Sequence, residues 1–435
     1  MLDAPPSPAR SSAPGPAAPA IVAGMAPTPS SPTVPVPAPA ARNVAVDAFR
    51  GFVMFLMMAE VLNLARVAAA FPGNWLIGVL AYHQTHVDWT GASLHDLIQP
   101  AFSLLVGVAL PYSFARRLAA DGFPKAFAHA FRRSLVLVAL GIFLRSIGRE
   151  QTNFTFEDTL TQIGLGYPFL FLLAARPTRT VWTALAVVLG GYWLAWALYP
   201  VAGPGYDFAA VGVPADWAHH ATGFAAHWNK NANLGHAFDT WFLNLLPRPS
   251  TFIANRGGYL TLSFIPTLGT MMLGLIAGRA LRASSAAAAA RGGEGPAVPM
   301  RWLLLTGAGL IAAGVALHVA GLNPIVKRIW TPSWTLFSGG LCYLLLAGFS
   351  WVIDVKRYRR WAFPLVVIGL NSIAAYLIAH LWEHFISSSV KTHFGQHVFE
   401  RLGTGVAPLV EGLVVLTGYW LVLYWMYNRK LFLRV

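Results

Sequence analysis

The amino-acid sequence predicts an all-α polytopic membrane protein with about ten transmembrane helices, and three observations carry that expectation. Of its 435 residues, 56% are hydrophobic and only 11% are charged, where an average soluble domain has about 25% charged residues. The apolar residues fall in runs of about 20, the length a helix needs to cross a hydrocarbon core of roughly 30 Å. The basic residues crowd into alternate connections between those runs, which is a topology signal. The net charge of +14 therefore points to a lipid bilayer as partner and not to nucleic acid.

The chain opens with residues 1–41, almost wholly Pro, Ala, Ser, Val and Gly, with Asp3 and Arg10 as the only charges. Such a composition cannot bury a core, so a disordered tail is expected. It has no basic stretch followed by a continuous apolar one, so it does not read as a signal peptide. Residues 42–435 form the membrane domain, with spans near 48–68, 97–115, 131–147, 159–175, 181–199, 259–280, 302–321, 334–353, 362–386 and 407–427. Each should be helical, because an isolated strand would leave its backbone groups unpaired in lipid. Two connections stand out. Residues 200–258 form a long segment rich in His, Trp, Asn and Gly, and residues 283–298 an Ala/Gly/Ser stretch that reads as a flexible linker.

Charge bias orients the chain. One set of connections carries Arg116, Arg117, Lys125, Arg132 and Arg133, then Arg176 and Arg179, then Arg279, Arg282, Arg291 and Arg301, then Lys356, Arg357, Arg359 and Arg360. The opposite set has few, Lys327 and Arg328 among them, and none between 69 and 96. Both termini are thus expected in the cytoplasm, with 69–96 and 200–258 outside.

Several polar residues lie where a membrane protein has no structural need of them. The run from Tyr82 to Asp96 holds His83, His86, Asp88, Trp89, His95 and Asp96 at the expected outer mouth of the bundle. Histidine suits proton transfer near neutral pH and can accept an acyl group, and a neighbouring carboxylate could fix its tautomer. The plain alternative is a solvated loop with Trp89 as interfacial anchor. Glu60, with Asn63 nearly one turn on, sits in the first span, where an ionisable group is costly; a structural hydrogen bond is the alternative. Asp47 and Arg50, three apart on one face, are a cap and anchor or a phosphate contact. In the ninth span Asn371 suits an interhelical hydrogen bond. His380 and His384 have two-His metal spacing without a third ligand, so no metal is expected.

Taken together, these residues resemble the transmembrane acyltransferases typified by heparan-α-glucosaminide N-acetyltransferase and their bacterial relatives. The opening Asp47-x-x-Arg50-Gly51 is similar to that family's start. The stretch His86-x-x-Trp89-x-Gly91-x4-Asp96-Leu97-x-x-Pro100 is similar to its H-x-x-W-x-G-x4-D-L-x-x-P signature. Weaker likenesses follow at Leu160–Tyr167, Lys327–Ser333 and Gly369–Ile373, so the resemblance covers about 42–430.

The resemblance implies an enzyme of the bacterial inner membrane that moves an acetyl group from cytoplasmic acetyl-CoA to an extracytoplasmic sugar, as an N- or O-acetyltransferase and as a homodimer. By motif position His86 would be the general base or transient acyl carrier, framed by Asp96. The family's assisting asparagine falls on Val61 here, which leaves Glu60 and Asn63 as the polar groups of that helix; its Gln-Arg pair reads Thr161-Gln162. CoA phosphates would be met by Arg50, with Asp47 beside it, and by Arg132 and Arg133. The acceptor would be met by Trp89, Asn371 and His380. The alternative from another class is a proton-coupled transporter of a sugar or lipid-linked saccharide that uses Glu60.

Overall fold

The first helix shows how this sequence makes and then breaks a span. Asn43 caps it, its side chain accepting from the Val46 backbone N–H at 3.0 Å, and an unbroken apolar run carries the helix from Val44 to Met58. The helix then tightens to a 3-10 turn over Ala59–Leu62 and ends at Asn63, which adopts φ 49°. Asparagine tolerates this left-handed conformation better than most residues. The chain bends there by 43°.

The computed structural model describes residues 43–292 and 297–433; the expected tail over 1–41 lies outside the described residues. The helices are α1 (Val44–Met58), α2 (Leu64–Ala70), α3 (Trp75–Gln84), α4 (Ile98–Ser146), α5 (Thr159–Ala174), α6 (Thr178–Leu198), α7 (Leu234–Leu243), α8 (Phe264–Ala290), α9 (Met300–Val319), α10 (Pro332–Ser350), α11 (Phe363–Leu370), α12 (Ser372–Leu381), α13 (Glu383–Phe394) and α14 (Ala407–Asn428). Among the described residues there is no strand, only an isolated antiparallel bridge between Thr90 and Val326. The fold is therefore all-α. Six helical segments are long and apolar enough to cross a membrane, and eight if each of two bent pairs counts as one span.

The helices pack through small residues, as expected where lipid supplies no hydrophobic drive between helices. A Cβ on Gly369 of α11 would lie 2.0 Å from the Asp47 carbonyl oxygen, and one on Gly51 of α1 would lie 1.7 Å from that of Leu365. Only glycine lets α1 and α11 approach this closely. The 97–115 and 131–147 segments are two legs of α4, parted at Gly122 with φ 70°. The ninth span is broken at Asn371, where α11 and α12 meet at 74°.

Two connections differ in order from their composition. The expected flexible linker over 283–298 is helical through Ala290, because Ala286–Ala290 is a run of the strongest helix former; residues 293–296 lie outside the described part. The 200–258 segment is folded. Asn229 exchanges hydrogen bonds with the Ala221 backbone at 2.8 and 2.9 Å, Asn233 caps α7, and Trp228 is buried against Trp196 and Trp89.

Candidate active site

A cavity of about 480 Å³ opens where the broken first span, the 85–97 loop, the 255–259 turn and the loop before α10 converge. Its apolar side is Met54, Met57 and Phe102; its polar side includes Glu60, His86, His95, Arg145, Lys327 and His380.

The 85–97 loop is fixed by long-range ties. Gly91, at φ 112°, donates its N–H to the Ile325 carbonyl at 3.1 Å. Arg328 donates to the Val87 carbonyl at 3.2 and 3.3 Å and to that of Gly257 at 2.9 Å. Trp89, 3% exposed, donates its indole N–H to the Trp228 carbonyl at 3.2 Å. Trp89 therefore braces the loop from behind and does not line the cavity.

On this frame Asp96 is wholly buried. Its Oδ1 lies 2.8 Å from His86 Nδ1. Its Oδ2 accepts from the Val87 N–H at 3.3 Å and from the Ser93 N–H and hydroxyl at 3.0 Å each. A carboxylate held by so many donors is ionised and acts only as acceptor, so His86 Nδ1 carries the proton and Nε2 is the basic nitrogen. The His86 side chain is 34% exposed, into the cavity. Burial is the main cause that lowers its pKa below the ordinary imidazole value, and the Lys327 ammonium adds to it, against the Asp96 bond that raises it.

His95 forms a second pair. It is buried, its Nε2 lies 3.1 Å from Glu60 Oε1, and its ring centroid lies 4.4 Å from that of His86. Glu60 is 56% exposed on the cavity wall. Asn63 instead turns its amide back to the Val61 carbonyl at 3.0 Å and borders a separate cavity. Of the two polar groups in the first span, Glu60 is the one at the site.

Lys327, 6% exposed, completes this wall. Its Nζ lies 3.2 Å from His86 Nδ1, 3.3 Å from His86 Nε2 and 3.7 Å from Asp96 Oδ1. Burial first, and the Arg328 charge after it, bring its pKa down to about 8 against the pull of Asp96. Its loop is rigid: the Thr331 and Ser333 hydroxyls both donate to the Pro324 carbonyl at 2.7 Å.

The facing wall holds another charged group. Asp158 caps α5 through the Leu160 N–H at 2.9 Å and accepts from Arg145 Nε at 3.2 Å and the Tyr376 hydroxyl at 3.0 Å. The Tyr376 ring stacks on His380, centroids 4.3 Å apart. His380 Nδ1 donates to the Tyr376 carbonyl at 2.8 Å, leaving Nε2 as an acceptor.

The structure thus brings His86, Asp96, Glu60 and His380 to one place. Asn371 is fully buried elsewhere, its amide taken by the Leu431 carbonyl at 2.9 Å and the Leu433 N–H at 3.0 Å. Arg50 is paired with Asp47 at 3.2 Å, Arg132 is exposed, and Arg133 lies over the Tyr167 ring at 5.1 Å; none of the four lines the cavity. Among the described residues no group of three or more His, Cys, Asp or Glu could hold a metal ion.

Sequence reasoning counted Lys327 and Arg328 as topology charges and as part of the Lys327–Ser333 likeness, and gave Arg145 and Asp158 no role at the site. A Lys-Arg pair on the side otherwise poor in basic residues was the available signal. In comparison with known proteins the chain matches no family model and no curated protein, which leaves the chemistry of this cavity as the ground for a functional assignment.

Proposed function

We propose that the protein is a membrane-embedded acyltransferase that moves an acetyl group from cytoplasmic acetyl-CoA to an amine or hydroxyl of an extracytoplasmic sugar. The observation that carries this is His86, presented to a half-apolar cavity with its tautomer set by a buried, four-fold hydrogen-bonded carboxylate. In this reading α4's two legs and α5 each cross the bilayer, which brings the eight candidates to ten. Both termini lie in the cytoplasm, the cavity opens outward, the membrane is the bacterial inner membrane, and the enzyme is a homodimer. The resemblance of His86–Pro100 to the heparan-α-glucosaminide N-acetyltransferase signature points the same way.

The residues fit such a donor in two respects. Met54, Met57 and Phe102 offer an apolar lining to an alkyl arm. Arg133 keeps a buried Nε with no acceptor among the described residues, a donor suited to an anionic or carbonyl oxygen. His86 Nε2 removes the proton of the acceptor N–H or O–H as that atom bonds to the acetyl carbon. The carbon–sulfur bond breaks, and the proton passes from His86 to the departing thiolate.

Labelled acetyl-CoA offered to the protein in nanodiscs should lose its acetyl group to an added amino sugar or to water. His86→Ala should abolish this; activity that survives the substitution overturns the assignment. The bends at Asn63 and Asn371 favour a second reading, a proton-coupled transporter using Glu60, since broken helices often flank transport sites. It requires sugar uptake into vesicles that follows a proton gradient and ignores acetyl-CoA.

A further inference from the structure

The position of Lys327 is not explained by His86 and Asp96 alone. Its Nζ is almost equidistant from the two ring nitrogens of His86, at 3.2 and 3.3 Å. An atom so placed in the ring plane would overlap Cε1, or the carbons on the far side. The ammonium therefore sits over the imidazole face. Neither in-plane lone pair is occupied by it, so Nε2 stays open to the cavity.

The ammonium has three N–H donors. Nδ1 is itself a donor to Asp96 and cannot accept. The contacts left to Lys327 are the Asp96 carboxylate at 3.7 Å and the faces of the His86 and Tyr259 rings, the latter at 5.8 Å. A buried ammonium that lines a cavity and shares one long ion pair has donors to spare for a ligand. Those donors lie beside the nitrogen that removes a proton, where a carbonyl under attack would carry its oxygen.

We propose that Lys327 Nζ is the electrophilic group of this site, hydrogen-bonded to the thioester carbonyl oxygen and to the negative charge that develops there during acyl transfer. This rests on the acyltransferase reading. No proton leaves Lys327 in the step: the acceptor's proton goes to His86 and then to the thiolate sulfur, while the ammonium only donates hydrogen bonds. Preorganised donors of this kind act most strongly where water is excluded. Arg328 ties Lys327's loop to the backbone of Val87, next to His86, which fixes base and electrophile in one frame.

The test uses acetyl transfer from labelled acetyl-CoA by the full chain in nanodiscs, followed from pH 6 to 10. Wild type should lose kcat above about pH 8 as Lys327 gives up its proton. Lys327→Met should lower kcat by about 10²–10³-fold, the cost of an oxyanion donor, leave KM within a few-fold, and show no alkaline limb. Lys327→Arg, which stays charged, should retain more activity than Met and move the alkaline limb beyond pH 9.

Wild-type kcat in Lys327→Met, with His86→Ala inactive, overturns this role and leaves the acyltransferase reading standing. Activity in His86→Ala removes that reading first. Should the Met variant not fold, Lys327→Arg decides: an alkaline limb still near pH 8 overturns the proposal.

Discussion

Replacing Asp96 by Asn tests the electrostatic design of the cavity wall without reference to any reaction. The carboxylate is fully buried and answers two cationic or polarised partners, His86 at 2.8 Å and Lys327 at 3.7 Å. Asparagine keeps the shape and loses the charge. The charge-assisted bond to His86 is worth about 1.5–3 kcal/mol. The Lys327 contribution depends on pH, and its sign follows from linkage. In the wild type Lys327 titrates at about 8, below its unfolded value of about 10.4, so the folded chain is penalised at low pH and gains stability from pH 8 upward. Without Asp96 the same gain begins at a lower pH, because the buried lysine sheds its proton sooner. The extra penalty of the variant is then at most about 1.4 kcal/mol for each pH unit below 8: about 1.4 at pH 7, about 2.7 at pH 6, and nothing above pH 8. The total at pH 7 is about 3–4 kcal/mol. SDS-titrated unfolding in detergent, followed by tryptophan fluorescence from pH 6 to 9, would measure it. A penalty that does not change across this range, or that is not partly relieved by adding Lys327→Met, refutes the reasoning.

Three further outcomes are expected. The acid limb of the acetyl-transfer kcat/KM profile should lie below about pH 6.5, because burial and then the Lys327 charge hold His86 neutral; Lys327→Met should move it upward. Asp239, buried and accepting from the Thr261 N–H at 3.0 Å, is pushed up to about 7 by burial. The folded chain thus holds a proton that the unfolded chain releases near pH 4, stability falls as pH rises from about 4 to 7, and Asp239→Asn should flatten that slope in melting experiments. Gly369→Ala, which sets a Cβ 2.0 Å from the Asp47 carbonyl oxygen, should cost about 1–3 kcal/mol or more of overpacking and cut the folded fraction seen by size-exclusion chromatography.

The bundle was legible because apolar length and helical backbone satisfaction are local properties. The runs at 181–199, 302–321 and 407–427 became α6, α9 and α14 nearly residue for residue. The His86–Asp96 pair was legible for the same reason: eleven residues of one loop contain both partners and the Ser93 that supports them. Lys327 was not, since 241 residues separate it from His86 and the ties that bring it there run through backbone groups at Ile325, Val87 and Gly257. The first helix illustrates a different limit. Glu60 and Asn63, three apart, would share a helical face, so a regular helix would have offered both to the cavity. The 3-10 turn and the left-handed φ of Asn63 separate them. Asn63 spends its amide on the bend, and the bend is what delivers Glu60 to His95. The break in the helix and the polar group it presents are one feature, which period-based reading divides into two.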